Sequence, residues 1–168
     1  MKKPNELILS IDCGTQSIRA GLVDLTGAIS GLVKTPIEPY FSANPGWTEQ
    51  HPEYYWQMLC KTCRELLVEN KNLKERICAV TLTTQRATFI NLDKDGKPLR
   101  PAIVWLDQRK ASIKGILPGL SHPFLKALRL FEFVEFAVQY CRSNWIQQNQ
   151  PDIWDRTHKY LYLSGYFT

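Results

Sequence analysis

A chain of 168 residues, 44% of them hydrophobic, is long enough to bury one core, and its composition excludes a linker or a low-complexity tail. The net charge of +5 comes from Lys and Arg scattered over 71–76, 94–100, 109–114 and 126–129 among apolar and acidic residues, which argues against a nucleic-acid-binding stripe. The longest apolar run, Phe124 to Tyr140, is broken by Lys126, Arg129, Glu132, Glu135 and Gln139, too many polar groups for a membrane span.

Leu7 to Asp12 reads as a short strand, and Ser17 to Asp24 as a second one after a tight turn through Asp12-Cys13-Gly14-Thr15. Leu25-Thr26-Gly27 turns the chain again and Ala28 to Pro36 gives a third strand, so the chain opens as an antiparallel meander. Residues 37–52, rich in Pro and Gly, form a loop that ends at Pro52, a good first residue for a helix over roughly 53–70 with Tyr55, Leu59, Leu66 and Leu67 on its apolar side. Ile77 to Thr83 is expected to be a buried strand, Thr88 to Leu92 another closed by the Asp93-Lys94-Asp95-Gly96 turn, and Ala102 to Trp105 a third. Polar residues at three- and four-residue spacing predict one amphipathic helix over 124–140, and 110–168 as a whole reads as helical. Meander, crossover helix and returning strand together predict an α/β, ribonuclease H-like mixed sheet, three antiparallel strands plus parallel ones, flanked by helices.

Cys13, Cys60, Cys63, Cys78 and Cys141 are odd in number and irregularly spaced, and no long apolar segment of a secretory signal follows MKKPNE, so the expected setting is the reducing cytoplasm. Cys60 and Cys63 have the spacing of a zinc half-site but lie in a helical stretch with no second pair, and buried structural thiols are the expectation. His51, His122 and His158 stand beside no Ser or Cys nucleophile signal and are read as structural or solvated.

The turn between the first two strands carries the chemistry. Successive backbone N–H groups there can face a triphosphate, Gly14 lets the backbone come close, and Thr15, Gln16, Ser17 and Arg19 can add donors and charge. Asp12, at a strand end, could hold Mg²⁺ through water. A lone Asp-x-Gly-Thr is more often just a turn, so the longer stretch ILSIDCGTQSIRAGLVDLTG matters: it resembles the first phosphate motif of the FGGY carbohydrate kinases, within the actin, hexokinase and heat-shock ATPase superfamily.

Pro45-Gly46-Trp47-Thr48-Glu49-Gln50-His51-Pro52 resembles that family's P-G-W-x-E-Q-x-P stretch, and Thr84 to Thr88 with Leu92 to Arg109 resembles its hairpin and acceptor-site strand. An acceptor polyol needs partners for its hydroxyls and an apolar wall for its carbons. Gln85, Arg86 and Asp107 could serve the hydroxyls and Trp105 the wall, while Arg109 reads better as a support for Asp107. The resemblance implies ATP and Mg²⁺ as cofactors and a small sugar or polyol as substrate, with no nucleic-acid or membrane partner. It also implies that the catalytic Asp and the adenosine site belong to parts of the family fold not contained in these residues.

On that reading the chain is the first part of a two-lobed kinase, with the phosphate hairpin at 7–24, the acceptor-site segment at 77–109 and a divergent segment at 110–168. The fragment alone is expected to be inactive, and apolar surface on the 124–140 helix could support a homo-oligomer. Ala87 stands where glycerol kinases carry an acidic residue, and Gly165 where the family has Asp, so the acceptor stays open. The rival function is a non-catalytic ATP-binding regulator of the actin or chaperone type, which shares the phosphate motif but needs no polyol wall.

Overall fold

The structure is a computed structural model that describes residues 6–114, 116 and 121–168, the side chains of Ser121 and His122 excepted. The helical reading of 110–168 therefore falls partly, and the solvated reading of His122 wholly, outside what is described. Strands β1 (Leu7–Cys13), β2 (Ser17–Asp24) and β3 (Ile29–Pro36) form the antiparallel meander. Alternation decides which face each side chain takes: Leu7, Leu9, Ile11 and Cys13 of β1 and Ile18, Ala20 and Leu22 of β2 are buried on one side. The opposite side of the same strands carries Asp12, Arg19 and Lys34, cross-strand neighbours in one row.

The buried side is covered by helix α1 (Pro52–Glu69), which starts with Pro where the missing N–H is not needed. Tyr55, Leu59, Thr62 and Leu66 recur at helical spacing and make its inward stripe. Thr62 is polar but satisfied, since its hydroxyl donates to the Met58 carbonyl and meets Thr35 Oγ1 at 2.8 Å. After a 3₁₀ turn at Lys71–Arg76, β5 (Ile77–Thr84) returns parallel to β1, giving the strand order β3-β2-β1-β5. This is the expected ribonuclease H-like mixed sheet, with a single parallel strand among the described residues.

The expectation that 77–83 is buried is not met: Cys78, Ala79, Val80, Thr81 and Thr83 are exposed, because β5 is the outer strand and little packs on either face of it. Cys78 is thus an exposed thiol, not a buried one. The next strands leave the main sheet altogether. β4 (Glu49–Gln50), β6 (Phe89–Leu92), β7 (Ala102–Ile103) and β8 (Lys159–Tyr162) form a second, antiparallel sheet in the order β4-β7-β6-β8. The strand expected to reach Trp105 stops at Ile103, where the chain turns so that the Asp107 N–H can bond the Val104 carbonyl.

The helix expected over 124–140 is two helices, α2 (Ser121–Ala127) and α3 (Phe131–Tyr140). They are separated at Arg129, whose φ of 56° is incompatible with a continuous right-handed helix. Phe124, Phe133 and Phe136 on them are exposed. α4 (Arg142–Asn149) and α5 (Pro151–Asp155) follow, then β8, which the helical reading of 110–168 missed, and α6 (Leu163–Phe167). β8 is visible only through its partner β6, since Lys-Tyr-Leu-Tyr lacks a one-sided alternation.

Truncating Leu22 to Ala removes a fully buried side chain between β2 and α1 and is expected to cost about 2–5 kcal/mol in urea denaturation. The same change at Leu32, exposed on the neighbouring strand, is expected to cost about 0.5 kcal/mol or less.

Candidate functional site

The turn after β1 is tight because its backbone closes on itself: the Gly14 N–H donates to the Ser17 carbonyl at 3.0 Å. A Cβ on Gly14 would stand 3.2 Å from that oxygen, so a larger residue would push the turn open. Two further bonds fasten it to its surroundings, Gln85 N–H to the Cys13 carbonyl and Ile37 N–H to the Gln16 carbonyl. Burial, reinforced by the neighbouring Asp12 charge, pushes the Cys13 thiol up to about 12, which makes it a packing group and not a nucleophile.

Beside the turn lies a cleft of about 610 Å³ whose lining includes Gly14, Thr15, Gln16, Ser17, Arg19, Lys34 and Trp105. Gln16 is exposed, whereas Ser17 is almost wholly buried and offers the cleft little beyond its edge. Arg19 is already paired: its Nη1 donates to Asp12 Oδ2 at 2.8 Å, with both side chains near half exposure. Asp12 keeps its second oxygen toward solvent, since only Oδ2 is engaged.

Trp105 comes from the loop after β7 of the other sheet and yet reaches the same turn. Its Nε1 donates to Thr15 Oγ1 at 3.0 Å, and that hydroxyl donates to Gln85 Oε1 at 2.9 Å. Gln85 Nε2 then donates to the Tyr55 hydroxyl at 2.9 Å. One relay therefore joins the expected acceptor wall, the expected phosphate turn, the end of β5 and helix α1. Burial raises the Tyr55 hydroxyl's pKa, opposed by its bond to Gln85, so it stays neutral and can accept from the amide.

The loop that presents Trp105 is held by a buried ionic cluster. Asp107 Oδ2 accepts the Thr48 N–H at 2.9 Å, and both carboxylate oxygens accept from Arg109 Nε. Arg109 also pairs with Glu49 at 2.9 Å, and Glu49 pairs with Arg100. The Arg109 guanidinium lies between two indole rings, 4.2 Å from the Trp47 ring centre and 4.6 Å from that of Trp145. Arg142 donates to the Arg109 and Asp107 carbonyls from helix α4. Burial pushes the Arg100 and Arg142 pKa values down, while Glu49 and Asp107 respectively oppose that shift and keep the cations in place.

The carboxylate of Asp107, expected at the acceptor, is fully buried in this cluster with both oxygens engaged. Arg109 supports it as expected. Thr48, Glu49, Arg100 and Arg142 complete the cluster and were not singled out; the first two lie in the Pro-Gly-Trp stretch, whose carboxylate was the one available signal. That stretch and the Trp105 loop are joined directly, by Val104 N–H to the Thr48 carbonyl and Gln108 N–H to the Gly46 carbonyl.

A second cavity, about 490 Å³, opens at the end of β5 and is lined by Leu82, Thr83, Thr84, Gln85, Arg86, Ala87, Tyr162 and Ser164. Arg86 is exposed there, and Ala87 at φ 54° takes a conformation uncommon for a residue with a side chain. Gln85 lines this cavity and, through its bond to Thr15, touches the first one. Tyr162 and Ser164 come from the chain's last strand and helix, where sequence spacing gave no hint of a role.

The chain belongs to the FGGY family of carbohydrate kinases: residues 7–168 match that family's N-terminal domain. Over 159 residues it is 38% identical to a glycerol kinase of Thermococcus gammatolerans, an alignment covering 94% of this chain and 32% of the relative. It is 28% identical to a xylulose kinase of Lactococcus lactis subsp. lactis over 164 residues, 96% of this chain and 32% of the relative. The fold superposes on a crystal structure of a xyloylose kinase from Brucella ovis with a TM-score of 0.78 at 23% identity, over 96% of this chain and 33% of that one. With Plasmodium falciparum glycerol kinase, crystallised with ADP, the TM-score is 0.62 at 26% identity, over 96% and 33% of the two chains. The chain thus spans about a third of the length of the curated relatives it matches.

Replacing Arg109 with Ala leaves Asp107 and Glu49 buried without it and is expected to cost about 3–5 kcal/mol, with a red shift of tryptophan emission as Trp47 and Trp145 lose their shared cation. A thiol reagent at pH 8 is expected to modify Cys78 rapidly and to leave Cys13 unmodified until the protein is denatured; peptide mapping of the labelled sites reads both.

Proposed function

We propose that the protein containing this chain transfers the γ-phosphoryl group of ATP to a hydroxyl of a small sugar or polyol. The observation that carries this reading is the relay Trp105–Thr15–Gln85, which brings an indole wall, a phosphate-sized turn and the entrance to a polar cavity within two hydrogen bonds of one another. Membership of the carbohydrate kinase family supports it, as do relatives named for glycerol and xylulose.

On this reading the backbone of Gly14 to Ser17 takes the phosphates, with Thr15 holding Trp105 against them. Asp12 fits a role beside Mg²⁺: a single half-exposed carboxylate with one unengaged oxygen suits an ion that keeps most of its waters and binds phosphate as well. Bound with the nucleotide, the ion would neutralise charge on the transferring group. Arg86 and Gln85 orient the acceptor in the second cavity, where Thr83, Thr84 and Ser164 add hydroxyls. No carboxylate lines that cavity among the described residues, and Asp107 is sequestered, so we place the general base outside these 168 residues.

The test is a phosphorylation assay of the intact protein with ATP and Mg²⁺ against a panel that includes glycerol, xylulose and gluconate. Turnover of one acceptor is expected, with Arg86→Ala lowering kcat/KM by about ten- to a hundredfold, as for loss of a charged hydrogen bond. Nucleotide binding with no transfer to any acceptor would instead favour a non-catalytic regulator. The 168-residue chain by itself is expected to show no turnover, and ATP-dependent phosphorylation by it would overturn the placement of the base.

A further inference from the structure

We infer that Lys34 is a phosphate-contacting residue of the cleft, an inference that rests on the nucleotide reading given above. The register of the first sheet sets Asp12, Arg19 and Lys34 side by side on three adjacent strands, on the face turned away from α1. Residues directly opposite each other in antiparallel strands point to the same side, so this row ends at the mouth of the phosphate cleft as an acid followed by two cations.

Charge decides which of the two cations is free. Arg19 is bound to Asp12 at 2.8 Å, and the pair is neutral as a unit. Lys34 lines the same cleft as Gly14, Thr15, Ser17 and Trp105, is exposed, and has no carboxylate within ion-pairing distance among the described residues. It is therefore the uncompensated positive charge beside the turn. A compact ammonium on a flexible stem suits a polyphosphate, whose oxygens offer many equivalent positions, better than it suits a neutral sugar. β3 carries it on the outer strand of the meander, so the side chain can swing to the ligand without disturbing the partly buried Val33 and the buried Thr35 on the other face.

The experiment titrates the protein and its Lys34→Met, Lys34→Arg and Lys94→Met variants with tripolyphosphate, ATP and adenosine at two ionic strengths. Lys94 sits in the exposed turn after β6 and supplies the same change of net charge away from the cleft. Lys34→Met is expected to weaken tripolyphosphate and ATP about fivefold at low salt, with a smaller deficit at high salt. Adenosine affinity is expected to be unchanged, Lys34→Arg to keep most of the polyphosphate affinity, and Lys94→Met to behave as wild type. Equal polyphosphate affinity for Lys34→Met and Lys94→Met would overturn the role of Lys34 while leaving the nucleotide reading standing. A wild-type protein that binds neither ATP nor tripolyphosphate would overturn both.

Discussion

The buried carboxylate of Asp107 fixes where the cleft can form. It takes the Thr48 N–H from one segment and the Arg109 side chain from its own, so the turn between them has little freedom, and that turn carries Trp105. A paired charge in the interior gains little net stability from its desolvated salt bridge, but it penalises every arrangement in which the partner is missing. Glu49, Arg100 and Arg142 extend the same constraint to β4 and to α4, and the indole rings of Trp47 and Trp145 close over the guanidinium of Arg109. The cluster is thus a positioning device for a loop that otherwise has only two residues of strand behind it.

What that loop reaches is the first sheet. The two sheets share the core under α1, to which the second contributes Ile90, Leu92 and Ala102, while Ile103, Trp145 and Ile146 belong to a smaller cluster of the second sheet alone. The hydroxyl of Thr15 bridges them, accepting from the second sheet's Trp105 and donating to Gln85 at the end of β5. Such a bridge ties the turn after β1 to a loop far away in the sequence: Thr15 and Trp105 are 90 residues apart in the chain. It also holds Gln85 in place, since its amide is spanned between Thr15 and Tyr55.

Much of the fold was legible in particular residues. The short run from Leu7 to Asp12 announced the first strand, Pro52 announced α1, and the Asp-x-Gly-Thr motif announced the tight turn after β1. Burial was less legible: β5 has the composition of an inner strand, yet it is the outer one, because side-chain type reports a tendency to be covered and not the presence of something that covers it. The break at Arg129 was hidden in the same way, since the polar spacing on either side continues through it while the backbone does not.

The class of sheet, the tight turn after the first strand and the family could be read along the chain, because these depend on local pattern and on short motifs that survive divergence. Only the tertiary structure decided which polar side chains face a cavity and which hold the scaffold. Asp107 and Arg86 look equally suited to bind a hydroxyl when read along the chain. The first is wrapped by Thr48 and Arg109 and the second lies open, and one of those two partners, Thr48, stands 59 positions away in the chain. Solvent access and ion pairing are properties of three-dimensional neighbours, which no spacing along one chain can specify.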